Sequence, residues 1–316
     1  MSFFSILLAL LFEQVRPMAR GNLVHAGMRG WVRWVIRNFD AGEKSHGWLA
    51  WCVAVLGPSV AALIIHWLVL GLIGWPLAVV WNVAVLYATL GFRQFSHRFT
   101  EIRKALDGGD EARARQLLAD WQQSDATELP RQEIVRQVIE HSVLAAHRHV
   151  FGVLCWFSLL MVLGLGPAGA VFYRLAEFVS RYWPYLSRRQ KQPVSPATQD
   201  AAGKAWHLVD WVPARVTSLA FAVVGSFEDA IDSWRHYEAL QDGNNDGVIV
   251  AATAGAINVN LARAVVKAEG EQEAVPAPAR PAPEPAHLHS VVGLVWRSVV
   301  MWMTLTALLS LARLLG

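Results

Sequence analysis

The side chains best placed to do chemistry are ionisable groups in or beside long apolar stretches: Glu140, Arg174, Glu177, Asp210, Arg215 and Glu228. Charge at membrane depth is costly, so such groups usually face a polar interior or an opposite charge. The set therefore reads in two ways. It lines a polar cavity for an anionic or amphipathic ligand, or it forms ion pairs that hold helices together. In the first reading Arg174 and Arg215 bind the anion, because a guanidinium meets phosphate or carboxylate through two parallel hydrogen bonds. Asp210 and Glu140 then orient the arginines or the ligand, and Glu177 and Asn245 complete the ligand-binding set. Asp210 and Arg215 lie five residues apart. Helical partners stand three or four apart, so each of these two is expected to pair elsewhere.

Other patterns point less far. Asp242–Gly243–Asn244–Asn245–Asp246–Gly247 matches the first half of a calcium loop, but Thr253 stands where a bidentate Glu is needed. An Asn- and Gly-rich turn is the simpler reading. His141, His147 and His149 are spaced by six and two residues, whereas zinc-binding helices place two histidines four apart. Cys52 and Cys155 sit in apolar runs and read as buried thiols. No pattern asks for a metal or a cofactor.

These groups hang on an apolar frame. The chain has 316 residues, 54% hydrophobic and 17% charged, against about 25% charged in soluble domains. No Asp, Glu, Lys or Arg occurs from Gly47 to Phe92, or from His149 to Tyr173. The first run is long enough for two helices, each needing about 20 residues. It divides at GLIGWP (71–76), giving a hairpin of spans near 48–71 and 75–92. In the second run GLGPAG (164–169) can end one helix and begin another. Further spans are expected near 203–228 and 290–315. The reading is an all-α polytopic membrane protein with about five spans, its main partner the lipid bilayer. Fifteen tryptophans suit such a protein. The opening apolar run is too short to span and is read as retained. A net charge of +3, without a basic block, speaks against nucleic acid. Nothing bears on oligomeric state.

Between the spans lie polar segments. Arg29, Arg33 and Arg37 recur every four residues, so 23–39 reads as an interfacial amphipathic helix with its arginines toward anionic lipid. Helices are expected at 97–107, 110–123 and 130–147. Lys and Arg number six in 14–47 and nine in 93–148, with none in the 71–76 turn. This places both segments in the cytoplasm and the turn outside. The domain reading is 1–47, a short apolar and an interfacial helix; 48–92, a hairpin; 93–148, a polar helical segment; and 149–261, a core of membrane helices and polar motifs. A Pro/Ala-rich linker at 262–289 and a last span at 290–316 follow.

Three stretches, GLGPAGAVFYR (164–174), DWVPAR (210–215) and NDGVIVAATAGAINVNL (245–261), occur in an order that resembles the CobD/CbiB family of membrane proteins. Pro167, Gly169, Tyr173 and Arg174 match one motif; Pro213, Ala214 and Arg215 a second; Asn245, Gly247, Ala251, Ala252 and Gly255 a third. The family includes adenosylcobinamide-phosphate synthase and AmpE-type relatives. The chain departs from the synthase pattern after Glu140, where HSVLAAHRHVFG lacks the expected acidic and amide groups, and after Arg174, where Glu177 and Ser180 stand instead. The departures favour an AmpE-like inner-membrane protein without full synthase catalysis, binding an anionic or corrinoid-like small molecule in a signalling or cell-envelope role. The alternative is the synthase itself, which joins a corrinoid carboxylate to aminopropanol or its phosphate.

Overall fold

Thirteen α-helices occur among the residues that the computed structural model describes, which are 2–15, 23–122, 129–189, 193–240, 243–261 and 280–315; no strand occurs among them. They are α1 (Ser2–Val15), α2 (Leu23–Phe39), α3 (Lys44–Leu72), α4 (Trp75–Thr89), α5 (Phe92–Asp107), α6 (Glu111–Gln122), α7 (Arg131–Ala146), α8 (Gly152–Val162), α9 (Ala168–Arg189), α10 (Pro196–Val224), α11 (Phe227–Leu240), α12 (Asn245–Ala256) and α13 (Pro285–Leu315). Packing divides the chain into two compact units. One comprises Met1–Arg93, Arg148–Pro213 and Trp302–Gly316, the other Gln94–His147 and Ala214–Met301.

Four stretches are long and apolar enough to cross a membrane: Lys44–Leu72, Arg131–Val162, Pro196–Val224 and Pro285–Ala312. α4, the second arm of the expected hairpin, is apolar but has only 15 residues. The polar segment expected at 130–147 does not stop there. A wide π-turn at His147–Phe151 joins α7 to α8, because no residue from 147 to 151 breaks a helix. The chain then turns back at GLGPAG. Gly164 and Gly166 adopt φ of +77° and +56°, the left-handed region that glycine enters without steric cost. A Cβ at Gly166 would run into the His66 ring. The second stretch is thus a hairpin of α8 and α9. Of the expected linker, 262–279 lies outside the described residues, and 285–289 already belongs to α13.

In the first unit α3 packs against α2, α4 and α9, and α8 packs against α9. α2 is amphipathic as expected, and its apolar face packs on protein. Val32, Val35 and Ile36 are buried, and Arg33 sits over the Tyr182 ring, 5.8 Å from its centroid. Asp40, just beyond α2, ties down the start of α10. Its carboxylate accepts from the Ser195 backbone N–H (2.8 Å) and the Thr198 hydroxyl (2.9 Å), while Ser195 Oγ caps the Thr198 N–H (3.1 Å). In the second unit α11 packs on α12, and α7 packs on α6 and α12. Gly255 lets the α11–α12 pair close, since a Cβ there would strike the Asp229 backbone. Gly169 does the same for α8 and α9 against the Trp156 carbonyl.

Prolines inside three long helices, Pro58, Pro184 and Pro213, pose a specific problem. Proline has no N–H, so the carbonyl four residues earlier loses its donor, and lipid offers no replacement. At Pro58 and Pro213 the carbonyl is answered by tryptophan. Pro58 leaves the Ala54 carbonyl, which accepts from Trp31 Nε1 of α2 at 3.1 Å. Pro213 leaves the Val209 carbonyl, which accepts from Trp156 Nε1 of α8 at 3.0 Å.

Two outcomes test these ties. Trp156→Phe keeps an aromatic ring but removes the donor, and should cost about 1–3 kcal/mol for a carbonyl left unpaired. Pro213→Ala, which restores the backbone N–H, should recover most of that loss in a double-mutant cycle followed by unfolding in detergent. Asp40 has its pKa lowered below 3.8: burial opposes the charge, but hydrogen bonds from Ser195, Thr198 and Gly42 outweigh it. A lowered carboxylate pKa stabilises the fold above the unfolded value, and that stability is lost as pH falls through the folded one. Asp40→Ala should therefore cost about 0.5–2 kcal/mol at neutral pH. Its melting-temperature gap to the wild type should narrow below pH 3.8.

Candidate functional site

In the first unit the hairpin of α8 and α9 meets α10. Tyr173 on α9 donates its hydroxyl to Asp210 Oδ1 on α10 at 2.8 Å, and both side chains are fully buried. This bond joins two of the three stretches that carry the family resemblance. A tyrosine 37 residues away thus supplies a partner for Asp210. Tyr173 also packs on Trp206, and its ring fills the space at Gly152, where a Cβ would collide with it.

The next residue, Arg174, anchors a charged cluster. Its Nη1 reaches Glu177 Oε2 (3.0 Å) and His149 Nδ1 (2.7 Å). An arginine only donates, so His149 Nδ1 carries the lone pair and Nε2 the proton. Glu177 is buried, and its other oxygen takes Arg181 Nη1 at 2.9 Å. One carboxylate is shared by two guanidinium groups, at the three- and four-residue spacings of a single helix.

In the second unit Arg215 Nη1 donates to Asn245 Oδ1 at 2.6 Å, and Nη2 to Glu238 Oε1 at 3.0 Å. The amide at the start of α12 and the carboxylate near the end of α11 hold the guanidinium plane between them. The bond to Asn245 joins the second and third stretches of the resemblance, 30 residues apart. Asn245 is buried, while the Arg215 side chain keeps 17% exposure, so an anion can still reach it. Gly247, two residues on, lies against the Tyr237 ring.

Glu140 is placed differently. It pairs with Arg136 on its own helix at 2.7 Å, and Arg136 also takes Glu133 at 2.6 Å. This is an intrahelical ion-pair ladder, and its four-residue spacing was legible in the sequence. Glu228 is exposed in the first turn of α11. The three histidines go separate ways: His141 packs its ring on Trp121, His147 meets Thr217 Oγ1 at 2.9 Å, and His149 meets Arg174. Among the described residues no three His, Cys, Asp or Glu side chains converge as for a metal. Asp242, the first residue of the calcium-like loop, lies outside the described residues; Asn244 caps α12 through the Asp246 N–H. Cys52 and Cys155 are free thiols, each half-buried.

Sequence reasoning missed three groups: Tyr173 as partner of Asp210, Glu238 as partner of Arg215, and the Asp40 tie. None has a local signal, because each partner is distant along the chain. Phenylalanine at position 173 gives the test: Tyr173→Phe leaves Asp210 buried without its hydroxyl donor. It should lower stability by about 1–3 kcal/mol, read as earlier unfolding in detergent. An unchanged unfolding midpoint would show that the bond contributes nothing.

Residues 6–295 match the family described as "CobD/Cbib protein". A protein of Stutzerimonas stutzeri named "Cobalamin biosynthesis protein CobD" is 32% identical over 263 residues, covering 83% of this chain and 81% of the relative. A protein of the same name from Chromobacterium violaceum is 29% identical over 272 residues, covering 84% and 83%. No solved structure matches. The relatives overturn the AmpE-like signalling reading. That reading weighed a few missing motif residues above likeness along most of the chain, and both relatives are named for cobalamin biosynthesis, as in the alternative. The leaning toward a protein without catalysis finds no support in these relatives.

Proposed function

Since the chain belongs to the CobD/CbiB family, we propose that it is a cobalamin-biosynthesis enzyme of a bacterial inner membrane, forming an amide between a corrinoid carboxylate and aminopropanol or its phosphate. A carboxylate oxygen does not leave unaided. A nucleoside triphosphate must first phosphorylate it; the amine nitrogen then bonds to the acyl carbon, the C–O bond breaks, and phosphate departs. With aminopropanol phosphate as the amine, both reactants of that step are anionic, and the protein's task is then to hold negative groups side by side.

The observation that supports this reading is the Arg215–Asn245 bond. It brings together two family stretches at a cation that an anion can reach. Arg215 would hold the phosphate or carboxylate of a reactant, with Asn245 and Glu238 fixing its fork. Glu140, held by Arg136 in the same unit, would act as a positioning residue, and Asp210, held by Tyr173, would do so within the first unit. Arg174 pairs with Glu177 within α9 and reaches His149, just before α8, and that contact would help maintain the α8–α9 hairpin.

The purified protein, given adenosylcobyric acid, ATP and aminopropanol phosphate, should yield the amide by mass spectrometry. Arg215→Lys should reach normal membrane levels yet lose about 10- to 100-fold in kcat/KM, the worth of one charge-assisted hydrogen bond. No product from the wild type, under conditions where the Stutzerimonas stutzeri relative makes it, would end this reading. Collapse of the variant's membrane level would make Arg215 structural.

A further inference from the structure

A groove in the first unit is lined by residues other than those around Arg215, which belong to the second unit. It is bounded by α2, α3, α4 and α9 and encloses about 360 Å³, within the range of about 300–1,000 Å³ typical of small-ligand sites. Its walls are apolar, with Met28 and Trp31 on α2, Pro58 and Ile65 on α3, and Trp81 and Val85 on α4. One charged side chain lines it, Arg174 from α9. His25, one residue after the groove-lining Val24, feels both arginines: its pKa lies below its ordinary 6.5, first through burial and then through the charges of Arg174 and Arg29, the latter one helical turn on. Glu177, the carboxylate bound to Arg174, is shared with Arg181, so one negative charge answers two positive ones there.

The two ends of the groove ask for different chemistry in one molecule. A small polar anion would gain nothing from the apolar walls, and a plain hydrocarbon nothing from the basic end. α3 and α4 bring the groove among apolar surfaces suited to lipid, such as Ile64 (54% exposed) and Val80 (58% exposed). The basic segment 14–47, which includes Arg29, is also the part that the positive-inside rule sets against the anionic cytoplasmic leaflet. We propose that the groove seats one acyl chain of an anionic phospholipid, with the headgroup phosphate held by Arg174 and Arg29. The lipid would wedge α2 against α3 and α4, a structural ligand for the unit that carries the Tyr173–Asp210 bond.

Full-length protein released from nanodiscs of equal phosphatidylglycerol and phosphatidylcholine, weighed by native mass spectrometry, tests this. The wild type should retain one phosphatidylglycerol per chain, preferred about tenfold or more over phosphatidylcholine. Ala61→Trp, at an exposed position on the groove wall, should fill the groove and abolish retention. Arg29→Gln should keep a lipid but lose the preference. Melting curves in detergent check that both variants fold, and Ala88→Leu replaces Ala61→Trp if the latter does not. Equal retention of both lipids by the wild type, or undiminished retention when the groove is filled, would overturn the proposal. Displacement of the lipid by one equivalent of a corrinoid would overturn it too, giving the groove to substrate.

Discussion

Pairing of backbone groups away from water is the constraint on which the rest of this structure depends. A helix in lipid pairs its own carbonyls, but a proline removes one donor and leaves one carbonyl exposed to a medium that cannot bond it. This chain keeps prolines at 58 and 213 and answers each with an indole N–H from a neighbouring helix, Trp31 for the Ala54 carbonyl and Trp156 for that of Val209. The same bonds dock α2 on α3 and α8 on α10. The repair of a local defect thereby becomes part of the tertiary structure.

That docking places the charged groups. Trp156 ties α8 to α10 one residue before Asp210, and Tyr173 on the returning arm of the hairpin reaches Asp210 itself. Buried charge is tolerable when every ion has a fixed partner. The chain follows this rule in two ways. Glu140 and Glu177 are matched by arginines on their own helices. Asp210 and Arg215 are matched from elsewhere in the chain. The second kind links the family stretches to one another, and the proposed synthase chemistry draws on it.

The departures from the synthase pattern carried too much weight in the reading from sequence. The stretch after Arg174 lacks the family's usual residues, yet it is not chemically empty: Glu177 there is a buried carboxylate bound by two arginines. Replacement of a motif residue shows that a local solution has changed. It says less about activity than a likeness that runs from residue 6 to residue 295.

What the sequence determined by itself was the class of protein and the places where its helices break. Both are properties of composition along a short window: charge-free length decides a span, and Gly164, Gly166 and the GLIGWP turn decide where it ends. The intrahelical pairs Arg136–Glu140 and Glu177–Arg181 were also legible, since helical geometry alone brings residues four apart together. Only the tertiary structure decided that Asp210 faces Tyr173, that Arg215 faces Asn245 and Glu238, and that two tryptophans serve two prolines. Those partners lie 23 to 53 residues apart. No periodicity encodes such a distance; it emerges when apolar faces choose their neighbours.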